Sequence, residues 1–384
     1  MEGLLPDESE ILELRTGRPV LAILTIEDEI QLFRGNRKNF ADLIRIGREK
    51  GFLVYVLTAK NLYLSRSTLK GFIFNERNEV WEQRLLPFPD IIYNRIPLRE
   101  DEILPSVKNK IAACAKDSRV QLFNPSFFNK WYLFEWLRQS KTTKPFIPTT
   151  RKLMSANGLG KMMQKYTFLY LKPESGKAGN GIMTIKVHAD KQLPYRLKIQ
   201  EDKKSSTYNC STIYKLWARI QKQSSGEAYI AQQGIQLASV NDRRFDLRTL
   251  VQKNERGKWD VTGIGARVAG TSSITTHVPR GGMIEDPEKL LIHSFNAEQA
   301  RKILLKAKQT SLLIAKQIER GSGHLLGEMS MDLGVDSMGN IWFFEANSKP
   351  MKFDEPHIRQ KSLERIFQYS TYLTRMKTEK AGGA

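Results

Sequence analysis

Asp332, Glu345 and Asn347 are the residues of this 384-residue chain whose types and spacing most directly invite chemistry. They stand in the run Met331-Asp332-Leu333-Gly334-Val335-Asp336-Ser337-Met338-Gly339-Asn340-Ile341-Trp342-Phe343-Phe344-Glu345-Ala346-Asn347, which predicts a β-hairpin turning at residues 337–340. Side chains alternate faces along a strand, so Glu345 and Asn347 point the same way. Such a turn sets Asp332 opposite Glu345, near enough to share one cation. Two carboxylates and an amide oxygen suit Mg²⁺, or Mn²⁺, hard ions that share oxygen ligands with phosphates. Met331, Leu333 and Val335 on one strand, with Trp342 and Phe344 on the other, are expected to form the buried face. The plain alternative is a hairpin whose solvent face happens to be acidic.

A second constellation is Leu171-Lys172-Pro173-Glu174-Ser175-Gly176-Lys177-Ala178-Gly179-Asn180-Gly181-Ile182, read as strand, glycine loop, strand. Glycines let successive backbone N–H groups approach phosphate oxygens, and Lys172 adds a charge-assisted contact. The spacing is not G-x-x-x-x-G-K-[ST] and no helix follows, so a Walker P-loop is excluded. A flexible hairpin turn is the competing reading. A third constellation pairs Asp246-Leu247-Arg248 with Gly265-Ala266-Arg267, on strands that a turn at 254–257 brings together. Period two puts Asp246 and Arg248 on one face. Arginine's planar fork meets a carboxylate or phosphate through two hydrogen bonds, although ordinary surface salt bridging uses the same residues.

The elements that must position these groups are legible in outline. Residues 19–25, 39–49 and 51–57 read as strand, helix, strand, the order of a parallel βαβ unit. Residues 71–74 and 80–85 straddle Asn75-Glu76-Arg77-Asn78 as a hairpin, and 89–94 end in a further buried strand. A small α/β domain is expected here, without the G-x-G-x-x-G loop of a dinucleotide site. Farther along, 130–139 has helical periodicity with Trp131, Phe134 and Leu137 on one side. Residues 168–172 and 182–187 flank the glycine loop, and 198–206 read as a polar turn. Strands are expected at 229–236, 245–252 and 259–269, and a Ser/Thr/Gly-rich loop at 271–282. A long amphipathic helix spans 297–318, and a last helix, 358–377, precedes a flexible tail at 378–384.

Hydrophobic content of 40% and charged content of 27% describe an ordinary globular protein, and its length suggests two or three domains. Cys114 and Cys210 have no metal or redox spacing, which predicts a reducing compartment. The acidic opening MEGLLPDESE does not resemble a secretory leader, and no apolar run is long enough to span a bilayer. The net charge of +20 is the outlier. It points to an anionic partner or to solubility, and no nucleic-acid-binding signature accompanies it. Local excess is greatest across 186–222, where nine Lys/Arg face three acidic residues.

In chain order, Lys130-Trp131, Ile147-Pro148-Thr149-Thr150, Leu171-Lys172-Pro173 with its glycine loop, Gln232-Gln233-Gly234-Ile235, Asp246-Leu247-Arg248, Arg267 and Asp332…Glu345-Ala346-Asn347 resemble the ATP-grasp superfamily. Within it they are most similar to the YheC/YheD group, endospore coat-associated ATP-grasp proteins of spore-forming bacilli. The resemblance covers essentially the whole chain, including the strand ending Asn94-Arg95. It implies an α/β (α+β) fold, with a small Rossmann-like pre-ATP-grasp domain over 1–123. A two-lobed ATP-grasp domain with antiparallel sheets would follow over 124–377, its glycine-loop lobe near 150–232 and its metal-binding lobe near 233–377.

The resemblance also implies roles. Lys130 and Lys172 would hold the nucleotide phosphates, with Gly176, Gly179 and Gly181 closing over them. Gln232 to Ile235 would meet the adenine. Arg248 and Arg267 would lie near the γ-phosphate and the second substrate, and Asp332, Glu345 and Asn347 would ligate magnesium. One departure stands out: many relatives carry Thr-Asn before a basic residue and two glycines, whereas this chain has Thr276-His277-Val278-Pro279-Arg280-Gly281-Gly282. His277 therefore puts one phosphate or metal contact, and catalytic competence with it, in question.

The implied activity is an ATP- and Mg²⁺-dependent (or Mn²⁺-dependent) carboxylate–amine ligation through an acyl phosphate. The acid and amine are not readable, and the positive charge favours an acidic peptide or glutamate-rich chain. The expected setting is cytoplasmic, in the mother cell or at the spore coat. The alternative is a non-catalytic or weakly catalytic coat-associated structural protein that keeps a nucleotide pocket and has spore coat proteins as partners. Neither a membrane nor nucleic acid is an expected partner.

Overall fold

The computed structural model describes residues 17–175, 180–201, 204–270 and 282–382. Its first sheet contains β1 (Val20–Thr25), β2 (Leu53–Thr58), β3 (Thr68–Asn75), β4 (Val80–Pro87), β5 (Ile91–Asn94) and β6 (Gln121–Phe123), in the order β4-β3-β2-β1-β5-β6. β2, β1, β5 and β6 run parallel, and β3 and β4 form an antiparallel edge hairpin. Every residue of β1 is buried, because a central parallel strand is covered on both faces. Leu21 and Ile23 face Phe40, Leu43 and Ile44 of helix α1 (Arg37–Glu49). Val20, Ala22 and Leu24 face Val107, Ile111 and Cys114 of helix α2 (Pro105–Cys114). The expected βαβ unit and edge hairpin are both present.

The second sheet is antiparallel throughout and six-stranded, in the order β11-β10-β9-β8-β12-β7. Its strands are β7 (Thr150–Lys152), β8 (Phe168–Pro173), β9 (Met183–Val187), β10 (Tyr195–Glu201), β11 (Lys204–Cys210) and β12 (Tyr229–Gln233). The stretch expected to be a polar turn at 198–206 is mostly strand. Leu197 and Ile199 are fully buried while Lys198 alternates outward, so the polar composition reflects one face of β10 rather than a loop.

The third sheet joins β13 (Arg243–Lys253), β14 (Trp259–Val268), β15 (Met283–Glu285), β16 (Glu328–Val335) and β17 (Ile341–Asn347) in the order β15-β14-β13-β16-β17, all antiparallel. Helices α3 (Lys130–Arg138) and α6 (Ala297–Ser322) bury its inner face. A mixed α/β fold with two antiparallel sheets is therefore what the chain forms.

The hairpin of β16 and β17 corrects one expectation. Asp332 does lie opposite Glu345, but the register shifts between Asp332 and Leu333, so Leu333 meets Phe343. The bulge takes up Phe344 as an extra residue and reverses the alternation. Ile341, Phe343 and Ala346 consequently enter the core beside Met331, Leu333 and Val335, and Trp342 and Phe344 are only half-buried on the other face.

The expected tail is also corrected. The last helix, α7 (Pro356–Gly382), continues past Lys377 through five residues assigned to a tail. It returns to the first sheet, where Leu363, Ile366, Phe367, Tyr369 and Leu373 share one core with Leu21, Ile23 and Val56. The core of the first sheet is thus shared with the last helix. Asn124 ties the same junction, its amide donating to the Glu328 carbonyl at 2.8 Å and its oxygen accepting from Gly327 N at 2.8 Å. No described helix is long and apolar enough to cross a membrane.

Candidate active site

The third sheet brings the polar residues onto one face by register alone. Arg248 pairs with Asp332, and Asp332 with Glu345; two residues to one side of that rung Asp246 pairs with Arg267, and two residues to the other side Ser330 pairs with Asn347. Arg267 lies between two carboxylates. Its Nε and Nη2 each donate to Asp246 at 3.1 Å, and Nη2 also meets Asp332 Oδ2 at 2.7 Å. Burial works against its charge, but Asp246 and Asp332 outweigh it and hold the guanidinium above its ordinary range. Arg248 differs. It is half-buried, lies 5.3 Å from the Phe353 ring, and among the described residues has no carboxylate within ion-pair distance.

Two lysines face this row from other elements. Lys130 opens α3, whose N-terminus is capped by Asn129 accepting from Trp131 N at 2.9 Å. Its Nζ lies 3.3 Å from Glu345 Oε1, and its N–H donates to Glu174 O at 3.1 Å, tying α3 to the start of the glycine loop. Lys172, on β8, is 9% exposed and donates to Gln232 Oε1 at 2.7 Å, while Gln232 Nε2 donates to Thr150 Oγ1 at 3.0 Å. The Gln232 amide thus fixes the Lys172 ammonium, a partnership that the separate motifs did not announce. Phe344, placed by the bulge, lies 5.5 Å from that ammonium and was not foreseen as part of the site.

Among the glycines, Gly181 has φ +68°, and a Cβ there would lie 2.7 Å from the Tyr229 hydroxyl that donates to its carbonyl. Gly176, Gly179 and His277 lie outside the described residues. Ile235 is buried, just beyond Gly234, where a Cβ would run into the Phe168 ring at 2.2 Å.

Asp332, Glu345 and Asn347 offer oxygen donors only, on two paired strands whose facing side chains stand roughly 5 Å apart. Among the described residues no three His, Cys, Asp or Glu converge, so any metal there would rest on two carboxylates, one amide and its substrate. That donor set fits Mg²⁺, which completes its shell with phosphate and water oxygens.

Burial and then the neighbouring Lys130, working against the pull of Glu345, lower the Lys172 pKa to about 8. A lysine whose folded value lies below its unfolded value of about 10.4 penalises the fold at low pH. That cost is present in full below about 8 and fades as pH rises toward the unfolded value. A triphosphate beside Lys172 favours its charged form. Calorimetry of Mg–ATP binding near pH 8.5, in buffers of different ionisation enthalpy, should therefore show proton uptake. Lys172→Met should abolish that uptake and weaken binding by about 1.5–3 kcal/mol. Equal uptake in parent and variant would place Lys172 away from the phosphates.

A family model described as YheC/D-like ATP-grasp matches residues 119–373. The chain is 28% identical over 368 residues to the endospore coat-associated protein YheD of Bacillus subtilis (strain 168), covering 93% of this chain and 79% of that protein. Among solved structures it is similar to D-alanine–D-alanine ligase from Bacillus anthracis complexed with ATP, with TM-score 0.53 and 10% identity over 95% of this chain and 99% of that one. The ATP-grasp ligase PsnB complexed with a minimal precursor gives TM-score 0.51 and 13% identity over 91% and 99%.

Proposed function

The chain belongs to the YheC/D-like ATP-grasp family, and on that premise we propose that it is a Mg–ATP-dependent carboxylate–amine ligase. ATP would phosphorylate a carboxylate, an amine would displace phosphate from the acyl phosphate, and ADP, phosphate and an amide would leave. The observation that carries this reading is the oxygen row Asp332, Glu345 and Asn347 facing Lys130 and Lys172 from two other elements. Carboxylates bind a cation there, and lysines bind the anion that the cation accompanies. The shared fold of amide-forming ATP-grasp ligases supports the same class.

Asp332, Glu345 and Asn347 are the residues to hold Mg²⁺, which when bound neutralises charge on the β- and γ-phosphate oxygens. Lys130 and Lys172 orient the phosphates, and Gln232 holds Lys172 in place. Gln232 to Ile235 would border the adenine through backbone and apolar atoms, since the Gln232 amide is already engaged. Arg248, half-buried against Phe353, would meet the substrate carboxylate, and Arg267, 2.7 Å from Asp332, would position that ligand. The names of the curated relatives, endospore coat-associated proteins, support a setting at the endospore coat; the mother cell cytoplasm as the place and coat proteins as substrates or partners belong to the same proposal.

Millimolar Mg–ATP should raise the melting temperature, since a ligand that binds only the native state stabilises it by roughly 2.7 kcal/mol at 100 times Kd. Glu345→Gln should remove the magnesium-dependent part of that rise. Release of ADP with a panel of amino acids and acidic peptides tests turnover itself. No thermal shift in the parent protein would sink the nucleotide site. A shift without ADP release across the panel would favour a coat protein that retains the pocket.

A further inference from the structure

The first sheet ends in an edge that, among the described residues, no strand covers. β4 is outermost there and pairs with β3 residue for residue, from Asn75 with Val80 to Thr68 with Pro87. Its outward N–H and C=O groups form a row that another strand can complete. Edges are commonly blunted by a bulge, an interior proline or lysines. β4 has none of these: its register is unbroken, Pro87 is its last residue and it carries no lysine. Val80 is 44% exposed, and the Arg84 and Glu82 side chains, 2.7 Å apart, both reach solvent.

The sequence of β4 decides what fits this edge. Val80-Trp81-Glu82-Gln83-Arg84-Leu85-Leu86 is complementary to itself read in the opposite direction. A two-fold axis normal to the sheet at Gln83 sets Glu82 opposite Arg84 of a second copy, and Arg84 opposite its Glu82. Trp81 then meets Leu85, Val80 meets Leu86, and Gln83 meets Gln83. Every pair is of opposite charge, apolar, or amide with amide, the cross-strand pairs that stabilise a sheet. The faces agree as well. Trp81, and with it Gln83 and Leu85, lies on the α1 side, while Leu86, with Val80, Glu82 and Arg84, lies on the α2 side. An axis normal to the sheet keeps each set on its own side. Moving the axis to Glu82 or Arg84 sets like charges opposite one another, and moving it to Trp81 or Leu85 sets a charge against an apolar side chain. The outer strand of the second sheet, β11, has no such symmetry. It packs Tyr208 and Cys210 toward helices α4 (Ala156–Lys165) and α5 (Ile213–Ser224), and an axis at Thr207 would pair Ser206 with Tyr208 and Ser205 with Asn209. Neither pair brings opposite charges or two apolar side chains together.

We infer that β4 is a docking surface for a second copy of this chain, at which two six-stranded sheets join into one across a two-fold axis at Gln83. The lobes that hold the candidate active site follow β6, at the opposite edge of the same sheet, so the two sites stay apart. The inference is independent of the ligase reading. One pair of strands buries less than the roughly 1,600 Å² of a standard stable interface, so the association is expected in the micromolar range.

Sedimentation velocity of the full chain over about 1–100 µM should show monomer giving way to dimer. Glu82→Arg sets two arginines against each other on both sides of the axis, and Arg84→Glu does the same with two glutamates. Each variant alone should dimerise at least about tenfold more weakly than the parent. An equimolar mixture of the two should associate within about threefold of the parent, because every cross-axis pair is again of opposite sign. Rescue by mixing cannot come from the Glu82–Arg84 pair within one chain, since both variants lack it. Urea midpoints show whether the single variants are folded. The double variant Glu82→Arg with Arg84→Glu restores the pairs both within the chain and across the axis, should dimerise as the parent does, and keeps the test decisive where a single variant unfolds. A parent that stays monomeric at about 100 µM overturns the proposal. So do single variants that dimerise as tightly as the parent, folded single variants whose mixture stays monomeric, or a double variant that stays monomeric.

Discussion

Arg267→Ala is expected to lower stability by about 3–5 kcal/mol and to cut ADP release by at least two orders of magnitude. The guanidinium is buried between Asp246 and Asp332, and its removal leaves two neighbouring carboxylates, each about 7% exposed, facing one another without the cation. Breaking a buried pair on one side costs more than the pair itself contributes, because a desolvated charge is left behind. Magnesium should recover part of the loss, since it would supply Asp332 with another cation. Urea denaturation at pH 7, with and without Mg²⁺, reads both effects. A midpoint equal to that of the parent at pH 7 would mean that Arg267 does not hold this pair together.

That expectation differs from what the sequence supports, and the difference shows where its legibility ends. Period-two alternation and a plausible turn place Asp332 opposite Glu345, because a strand leaves few choices of facing. The same rule fails one residue away: the bulge at Phe344 reverses the faces, and nothing in Phe343-Phe344 distinguishes the residue that enters the core from the one beside Lys172. The βαβ order of the first sheet is legible because β1 is apolar on both faces. The dependence of that sheet on α7 is not, since Phe367 and Tyr369 meet Phe52 and Phe123 across more than 200 positions of chain, a pairing set by tertiary packing and not by any local pattern. Lys198 illustrates the remaining gap. Its polar neighbours suggest a turn, yet a strand with one charged face has the same composition, and only pairing with β9 and β11 separates the two.

The two arginines were equivalent on motif grounds, and their surroundings give them opposite tests. Arg248→Ala should leave the urea midpoint and Mg–ATP affinity close to those of the parent, yet reduce amide formation by about 10²–10³-fold. Arg248 is half-buried, rests against Phe353, and sits in the row that continues through Asp332 to Glu345. Among the described residues it has no carboxylate partner, so truncation strands no buried charge. Its fork is therefore available to a carboxylate that arrives with the substrate, and most useful as charge develops on that group. An interaction stronger in the transition state than in the ground state acts on kcat more than on affinity, and losing one such donor costs roughly 2.7–4 kcal/mol of barrier. Arg248→Lys keeps the charge but loses the planar fork, so it should recover only part of the rate. The measurement is ADP release and product formation with a productive acid–amine pair, after nucleotide affinity has been fixed for each variant. Undiminished turnover in Arg248→Ala would take this arginine out of the site. A fall in Mg–ATP affinity equal to the fall in rate would assign it to the phosphates instead, beside Lys130 and Lys172.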